Sequence, residues 1–334
     1  MRFPEFLKKN GTIGFVAPSF GCNIEPYKTS FNHALEKFHD MGYQTMLGPN
    51  CFEGSGIGIS NMPEKCAAEL NKMYLSDEAD ALISCGGGEL MCEILDDVDF
   101  DAIKAAKPKW YMGYSDNTNF TFLLTTICDV ASIYGPCAGT FGMEPWDESI
   151  EDSFSLFTGK KLTMQSYPLW EKEGLRDEEH PLEPYNLTEQ SLVRGFLTQK
   201  DRAGEVQAVE TEGTIEFKGR LIGGCMDCLV NLTGTRFDKT KDFIERYKED
   251  GIIWFLEACD LNVFSIRRAM WQMEQAGWFE HVKAFLIGRP LCFGQDMMGL
   301  DPYQAVLPVA LSHHVPVIMD VDLGHLPPMM PLIV

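Results

Sequence analysis

The sequence lacks any hydrophobic run long enough to cross a membrane, because no segment approaches the roughly 20 consecutive apolar residues that a transmembrane helix needs. It is also poor in positive charge, with 28 Lys and Arg residues against 49 Asp and Glu residues and a formal net charge of −21. A surface this acidic repels phosphate groups, so we expect neither nucleic acid nor a membrane as a partner. The first residues carry no apolar signal segment and no small-residue cleavage site, which predicts a cytoplasmic protein.

The sequence also lacks the usual motifs for nucleotide and metal binding. The glycine cluster Ser84–Leu90 has Met91 where a dinucleotide fingerprint needs its last glycine, and no P-loop lysine follows. The histidine pair 313–314 has no acid three or four positions away, and Cys225 begins a lone CxxC without a second pair. We therefore expect no metal and no cofactor. The 11 cysteines of this chain are expected to be mostly buried, reduced thiols.

Length and pattern predict two domains of the α/β class, since 334 residues are long for one compact core. Over residues 1–150, short apolar strands such as Thr12–Ser19 and Ala81–Ser84 alternate with helical segments. This alternation is typical of a parallel sheet whose functional loops follow the carboxyl ends of its strands. Residues 151–190 are rich in charge, proline and aromatics without a clear period, which indicates a linker or insertion. A second α/β unit is predicted over residues 191–334.

Ser115 is the first candidate functional residue. It follows the apolar strand KWYMGY and precedes a predicted helix, within the sequence Gly113–Asn117. A nucleophile elbow has the pattern G-x-S-x-G, and here Asn117 takes the place of the second glycine. Asn tolerates a left-handed backbone better than most residues do. The local sequence leaves open whether Ser115 is a nucleophile or whether Ser115 or Asp116 caps the helix.

Three further features could serve such a nucleophile. The glycine cluster, Gly86 to Gly88, could form an oxyanion hole or a tight turn. Glu257 ends the buried strand IIWFLE, where a carboxylate either orients a histidine or has another buried partner. His325 stands between a strand and a proline-rich loop, which is a suitable position for presenting an imidazole.

Taken together, these segments resemble the LD-carboxypeptidase family of serine peptidases. That family includes the murein tetrapeptide LD-carboxypeptidases and the microcin C self-immunity peptidases. The resemblance extends over nearly the whole chain. The matching segments are GTIGFVAPS, the Gly86–Gly87 pair, PKWYMGYSDNT, YGP, GRLIGGCMDCLVNLTGT, FLE, AFLIGRP and DLGHLPPMMPL.

The resemblance implies roles for particular residues. It makes Ser115 the nucleophile, His325 the base and Glu257 the residue that orients His325. The oxyanion hole would use backbone amides of Gly86 or Gly87 and of Asp116. We further expect three residues to take part in substrate binding; these are Gly88, Asn117 and Trp170.

The resemblance also implies a fold and an assembly. A flavodoxin-like parallel-sheet domain (residues 1–150) would carry the nucleophile, and a smaller, swivelling-type mixed α/β domain (residues 191–334) would carry Glu257 and His325. Such proteins usually pair as homodimers, and their chemistry needs no cofactor. The chain ends soon after His325, so the sequence leaves open whether a short tail follows.

The substrate remains open at this stage. The first expectation is an L,D-amide in a murein peptide, and the alternative is the linkage of a peptidyl- or aminoacyl-nucleotide. Two other classes compete, namely an α/β-hydrolase and a non-catalytic protein that binds small ligands. Many members of the family carry an arginine where this chain has Cys85. The cation that would bind a substrate carboxylate is therefore unassigned, with Arg194, Arg202 and Arg220 as candidates.

Overall fold

The computed structural model describes residues 1–200 and 206–334. The strands, in chain order, are β1 (Thr12–Val16), β2 (Gln44–Leu47), β3 (Ala81–Ser84), β4 (Tyr111–Gly113), β5 (Ile133–Tyr134), β6 (Leu169–Glu171), β7 (Leu187–Gln190), β8 (Arg194–Lys200), β9 (Val206–Thr211), β10 (Arg220–Cys225), β11 (Ile252–Glu257), β12 (Val282–Gly288), β13 (Val317–Val321) and β14 (Leu332–Ile333). The α-helices are α1 (Tyr27–Asp40), α2 (Pro63–Leu75), α3 (Phe100–Ala105), α4 (Thr118–Thr126), α5 (Glu148–Phe157), α6 (Met226–Leu232), α7 (Thr240–Arg246), α8 (Val263–Gln275) and α9 (Pro302–Ala310).

The first sheet has the strand order β14-β5-β4-β3-β1-β2. Strands β1 to β5 pair in parallel, and only β14 runs antiparallel to its neighbour β5. The order 2-1-3-4-5 of the parallel strands is that of flavodoxin-like folds, so the predicted fold class of this half is confirmed. All five parallel strands end at one edge, which brings the loops after β1, β3 and β4 close together.

The sequence pattern explains why the central strands form where they do. Every residue of β3 and β11 is buried, and both strands are almost entirely apolar. Parallel strands are covered on both faces by helices, so they appear in the sequence as continuous apolar runs. Glu257 is the exception, because it is a charged residue buried at the end of β11.

The second sheet has the order β10-β11-β12-β13-β8-β9, with β10 to β13 parallel and the hairpin of β8 and β9 antiparallel. This mixed sheet confirms the predicted fold class of the second half. The sequence pattern did not predict the hairpin. It lies at the edge of the sheet, and its described side chains are mostly exposed, so no hydrophobic alternation marks it.

The segment predicted as a linker contains regular structure. It starts within α5 and then forms a small two-stranded antiparallel sheet from β6 and β7. We call residues 169–190 the β6–β7 hairpin. Its first strand is attached to the loop after His325, because the Glu171 N–H donates to the Pro327 carbonyl at 2.7 Å.

The two halves share one hydrophobic core. The Phe122 ring on α4 stacks on Trp278 of the second half, with ring centroids 5.3 Å apart. The Cys225 N–H at the end of β10 donates to the Thr118 hydroxyl at 3.0 Å. Contacts of this kind hold the loop that contains Ser115 against the second sheet. No helix in the described parts of the chain has the length and apolar character needed to span a membrane.

Candidate active site

Ser115 lies just beyond β4, at the first position of a short 3-10 turn (Ser115–Asn117) that leads into α4. Its φ is +61°, in the left-handed region that a residue with a side chain rarely adopts. Such a backbone costs on the order of 1–3 kcal/mol and persists only where the surroundings hold it. A strained serine between a strand and a helix is the geometry of a nucleophile elbow.

The structure brings Ser115, His325 and Glu257 into one chain of hydrogen bonds. His325 Nε2 lies 2.8 Å from Ser115 Oγ, and His325 Nδ1 lies 2.8 Å from Glu257 Oε2. Ser115 belongs to the first half of the chain, whereas Glu257 ends β11 and His325 follows β13 in the second half. These distances match those of a serine, a base and an orienting carboxylate.

A glycine precedes His325 for a steric reason. Gly324 has a φ of +94°, and a Cβ atom there would lie only 2.4 Å from Glu257 Oε2. Any side chain at this position would displace the carboxylate or the imidazole beside it. The Gly-His pair of the sequence is therefore a requirement of the site.

The charges of His325 and Glu257 stabilise each other. Burial alone would lower the pKa of His325, but the Glu257 carboxylate and a hydrogen bond with Cys259 raise the pKa well above its usual value. Burial alone would raise the pKa of Glu257, but the charge of His325 and hydrogen bonds from His325 and Tyr134 lower it. Glu257 therefore remains ionised although it is fully buried.

Tyr134 is a site residue that the sequence reasoning missed. Its buried hydroxyl donates to Glu257 Oε1 at 2.5 Å and accepts the Ser115 N–H at 3.2 Å. Burial and the nearby Glu257 charge raise the pKa of Tyr134 well above its ordinary value, so the phenol keeps its proton. Tyr134 links the strained backbone of Ser115 to the carboxylate. The only signal in the sequence was its place in the YGP segment of the family resemblance.

The Gly86–Gly87 turn lies beside Ser115. A Cβ atom on Gly87 would lie 3.1 Å from Ser115 Cβ and 3.2 Å from Ser115 Oγ, so glycine permits the close approach. Within residues 1–200 and 206–334, neither the Gly86 N–H nor the Gly87 N–H donates a hydrogen bond. Both groups are free to bind an anion that forms beside Ser115.

Asp116 and Asn117 have structural contacts. The buried Asp116 carboxylate accepts hydrogen bonds from the Ser19 hydroxyl at 2.5 Å and the Met91 N–H at 2.9 Å, and burial raises its pKa. The Asn117 amide donates to the Gly86 carbonyl at 2.8 Å, which holds the glycine turn in place. The capping alternative is wrong, because none of Ser115, Asp116 and Asn117 caps α4 with its side chain.

A cavity of about 410 Å³ opens next to His325. Its walls come from the Gly86–Gly87 turn, from Tyr114 and from the β6–β7 hairpin. A smaller cavity of about 150 Å³ is lined by Ser115 itself, together with Gly88, Cys228 and Cys259. Of the three predicted binding residues, Gly88 thus borders the smaller cavity, and Asn117 is buried behind the glycine turn.

Trp170 does not line either of these cavities. Only 4% of its surface is exposed, and its ring packs edge-on against Phe293, with centroids 5.2 Å apart. The Arg289 guanidinium lies 5.1 Å from the ring centroid. The structure thus places Trp170 at the base of the hairpin, where it packs in the interior.

Arg194, Arg220 and His313, which were also considered from the sequence, do not line either cavity. Arg194 pairs with Glu210 and Arg220 pairs with Asp250, both near the surface, while Arg202 lies outside the described residues. His313 pairs with Glu274 at 2.6 Å. In the described residues, no group of three or more His, Cys, Asp or Glu side chains could hold a metal ion. All 11 cysteines are free, and most are buried as expected.

Each half of the chain matches a domain of a known protein family. Residues 13–135 match the LD-carboxypeptidase N-terminal domain, and residues 218–334 match the LD-carboxypeptidase C-terminal domain. The Escherichia coli microcin C7 self-immunity protein MccF is 25% identical over 329 residues, covering 98% of this chain and 89% of MccF. A probable murein peptide carboxypeptidase of Bacillus subtilis is 25% identical over 287 residues, covering 85% of this chain and 73% of the relative.

Solved structures of similar proteins share the fold of this chain. The structure of MccF in complex with aspartyl sulfamoyl adenosine has a TM-score of 0.81 at 22% identity, covering 100% of this chain and 93% of that one. An MccF-like protein from Streptococcus pneumoniae in complex with AMP has a TM-score of 0.75 at 18% identity, covering 97% of this chain and 94% of that one. The matches to both family domains, one in each half, lead to one conclusion: the chain belongs to the LD-carboxypeptidase family.

Proposed function

We propose that this protein is a serine hydrolase that cleaves an amide bond in a small, peptide-like substrate. The observation that carries the proposal is the chain of hydrogen bonds from Ser115 Oγ through His325 to Glu257, at 2.8 Å for each step. The strained backbone of Ser115 and the free N–H groups of the glycine turn support it. Together they supply a nucleophile, a base, an orienting carboxylate and oxyanion donors.

The reaction proceeds through an acyl-enzyme. Ser115 Oγ attacks the amide carbonyl carbon while His325 Nε2 takes the hydroxyl proton, and the Glu257 carboxylate stabilises the imidazolium. N–H groups of Gly86 or Gly87 and of Asp116 bind the oxyanion. The C–N bond then breaks, and His325 returns the proton to the leaving amine. Water, deprotonated by His325, hydrolyses the ester to a carboxylate and frees Ser115.

Two substrate classes are candidates. A murein peptide with an L,D-amide next to a terminal D-amino acid is our first proposal, supported by membership of the LD-carboxypeptidase family. The second is a peptidyl- or aminoacyl-nucleotide. The observation that favours it is the similarity to MccF over 98% of the chain, together with an MccF structure that holds aspartyl sulfamoyl adenosine. Mass spectrometry of the products from both substrate classes distinguishes them.

Replacement of the nucleophile tests the proposal directly. We expect Ser115→Ala to lower kcat by at least about a thousandfold, because no other group takes over the attack. Ser312→Ala, at an exposed serine far from the cavities, is the matched control and should keep full activity. A fluorophosphonate should label Ser115 in the wild-type protein. Full hydrolysis by Ser115→Ala on both substrate classes would show that the assignment is wrong.

A further inference from the structure

Arg176 is a cation in the larger cavity that no step of the proposed reaction uses. It lies in the connection between β6 and β7, is half-buried and lines the 410 Å³ cavity that His325 also borders. Among the residues that the structure describes, no other Lys or Arg lines this cavity. The hairpin therefore brings one permanent positive charge to the space where a substrate would lie.

In the described part of the chain, Arg176 has no anionic partner within ion-pair distance. Within residues 1–200 and 206–334, every other arginine makes a hydrogen bond or an ion pair. Arg176 makes neither; its guanidinium lies over the Tyr27 ring, 5.1 Å from the centroid. Stacking on an aromatic ring orients a guanidinium while leaving its N–H groups free. In a chain with a net charge of −21, an arginine left unpaired in a cavity is distinctive.

Two carboxylates on the same hairpin also line the cavity, namely Glu171 and Glu183. In the described part of the chain, neither carboxylate forms an ion pair or a hydrogen bond with Arg176. Glu171 Oε2 instead accepts the Asn186 N–H at 2.5 Å. Burial raises the pKa of Glu171, although Arg176 acts in the opposite direction. The guanidinium N–H groups thus remain available to a ligand.

We infer that Arg176, oriented by Tyr27, is an anion-binding subsite that selects substrates with a carboxylate or a phosphate on the part that contacts the hairpin. A guanidinium binds either group through two parallel hydrogen bonds. The inference rests on the proposed function, and it narrows the substrate to an amide that also carries a carboxylate or a phosphate. It also supplies the cation that Arg194 and Arg220 do not provide, because those residues are paired elsewhere.

The test compares matched substrates that differ only in charge. One pair is a tetrapeptide ending in a D-amino acid, as the free carboxylate and as the carboxamide. The measured quantity is the ratio of kcat/KM for the anionic over the neutral form. We expect Arg176→Met to lower this ratio by about 10- to 100-fold, mainly through KM, since a hydrogen bond to a charged group is lost. Arg176→Lys, which keeps the charge, should restore part of the ratio.

Lys172→Met is the matched control, because Lys172 is exposed on the same hairpin and does not line the cavity. It should leave the ratio unchanged. The inference is overturned if wild-type protein shows no preference for the anionic form, or if Arg176→Met keeps the preference. It is equally overturned if Lys172→Met lowers the ratio as much as Arg176→Met does.

A binding measurement separates this inference from the proposed reaction. Calorimetry measures the Kd of two ligand pairs, namely adenosine monophosphate against adenosine and the tetrapeptide against its carboxamide. The proteins compared are Ser115→Ala and the double variant that also carries Arg176→Met. If Arg176→Met abolishes the preference for the anionic member of the nucleoside pair, the anion is a phosphate. If it abolishes the preference within the peptide pair, the anion is a carboxylate. If wild-type protein hydrolyses nothing but binding still depends on Arg176, the subsite stands and the proposed hydrolysis fails.

Discussion

His325 and Glu257 make the expected activity dependent on pH in a defined direction. His325 must be neutral to accept the Ser115 proton, so activity is lost as the pH falls through the pKa of His325. Because the Glu257 carboxylate raises the pKa of His325 well above its ordinary value, kcat/KM should begin to fall at a higher pH than for an ordinary histidine. We measure this as the acidic limb of the pH–rate profile.

Glu257→Gln isolates the cause of the shift. It keeps the shape of the side chain but removes the charge, so the acidic limb should move to lower pH by at least about one unit. The loss of the correct tautomer should also reduce kcat by about 10³- to 10⁴-fold. Glu274→Gln removes the partner of His313, away from the cavities, and is the control. An acidic limb that stays in place in Glu257→Gln would mean that another group titrates.

The β6–β7 hairpin forms one wall of the larger cavity, and a buried network holds its base. The buried Asp322 carboxylate accepts the Tyr167 N–H at 2.8 Å and the Ser191 hydroxyl at 2.9 Å, and it pairs with Arg289. Trp170 covers the Arg289 guanidinium. Asp322 comes three residues before His325, so one network supports both the hairpin and the loop of the base.

Trp170→Ala tests whether this residue supports the hairpin or contacts the substrate. Because the ring is buried, we expect the free energy of unfolding to fall by about 3–5 kcal/mol, with a rise in KM as the hairpin loses its support. Trp170→Phe keeps part of the packing, so its free energy of unfolding and its KM should lie between those of the wild-type protein and Trp170→Ala. Denaturant unfolding and steady-state kinetics measure both effects. A rise in KM without any loss of stability would instead indicate direct substrate contact.

At the scale of the whole molecule, the net charge of −21 opposes folding through self-repulsion. Raising the salt concentration from about 20 mM to about 300 mM screens this repulsion, since the Debye length falls well below the size of the protein. We therefore expect Tm to rise by a few degrees in differential scanning fluorimetry. NaCl and KCl should act alike; a Tm that falls with either salt would contradict the expectation.

The assembly of the site also belongs to this scale. Ser115 comes from the first half, and Glu257 and His325 come from the second, so the core shared between α4 and the second sheet holds these three residues together. Domain boundaries at residues 150 and 190 stay a prediction, as does the homodimer implied by the family resemblance. The last strand complicates a simple division, because β14 joins the sheet of the first half.

The sequence by itself determined the features that depend on local patterns. Buried parallel strands are continuous apolar runs, so Ala81–Ser84 was predicted with the bounds that the structure has. Ser115, Glu257 and His325 each end or follow such a strand, and their residue types were conspicuous there. The family resemblance then predicted that these three residues act together. The matches to both LD-carboxypeptidase domains confirm the family itself.

Only the tertiary structure decided which distant residues meet. Tyr134 looked like part of a strand, yet its hydroxyl joins Ser115 to Glu257. Trp170 was expected to take part in substrate binding, yet it is buried beside Arg289. Arg176 is one charge among many in a segment without periodicity, and only folding places it over Tyr27 in the cavity. Periodicity reports which face of an element is buried, whereas contacts between residues far apart in the chain arise from packing.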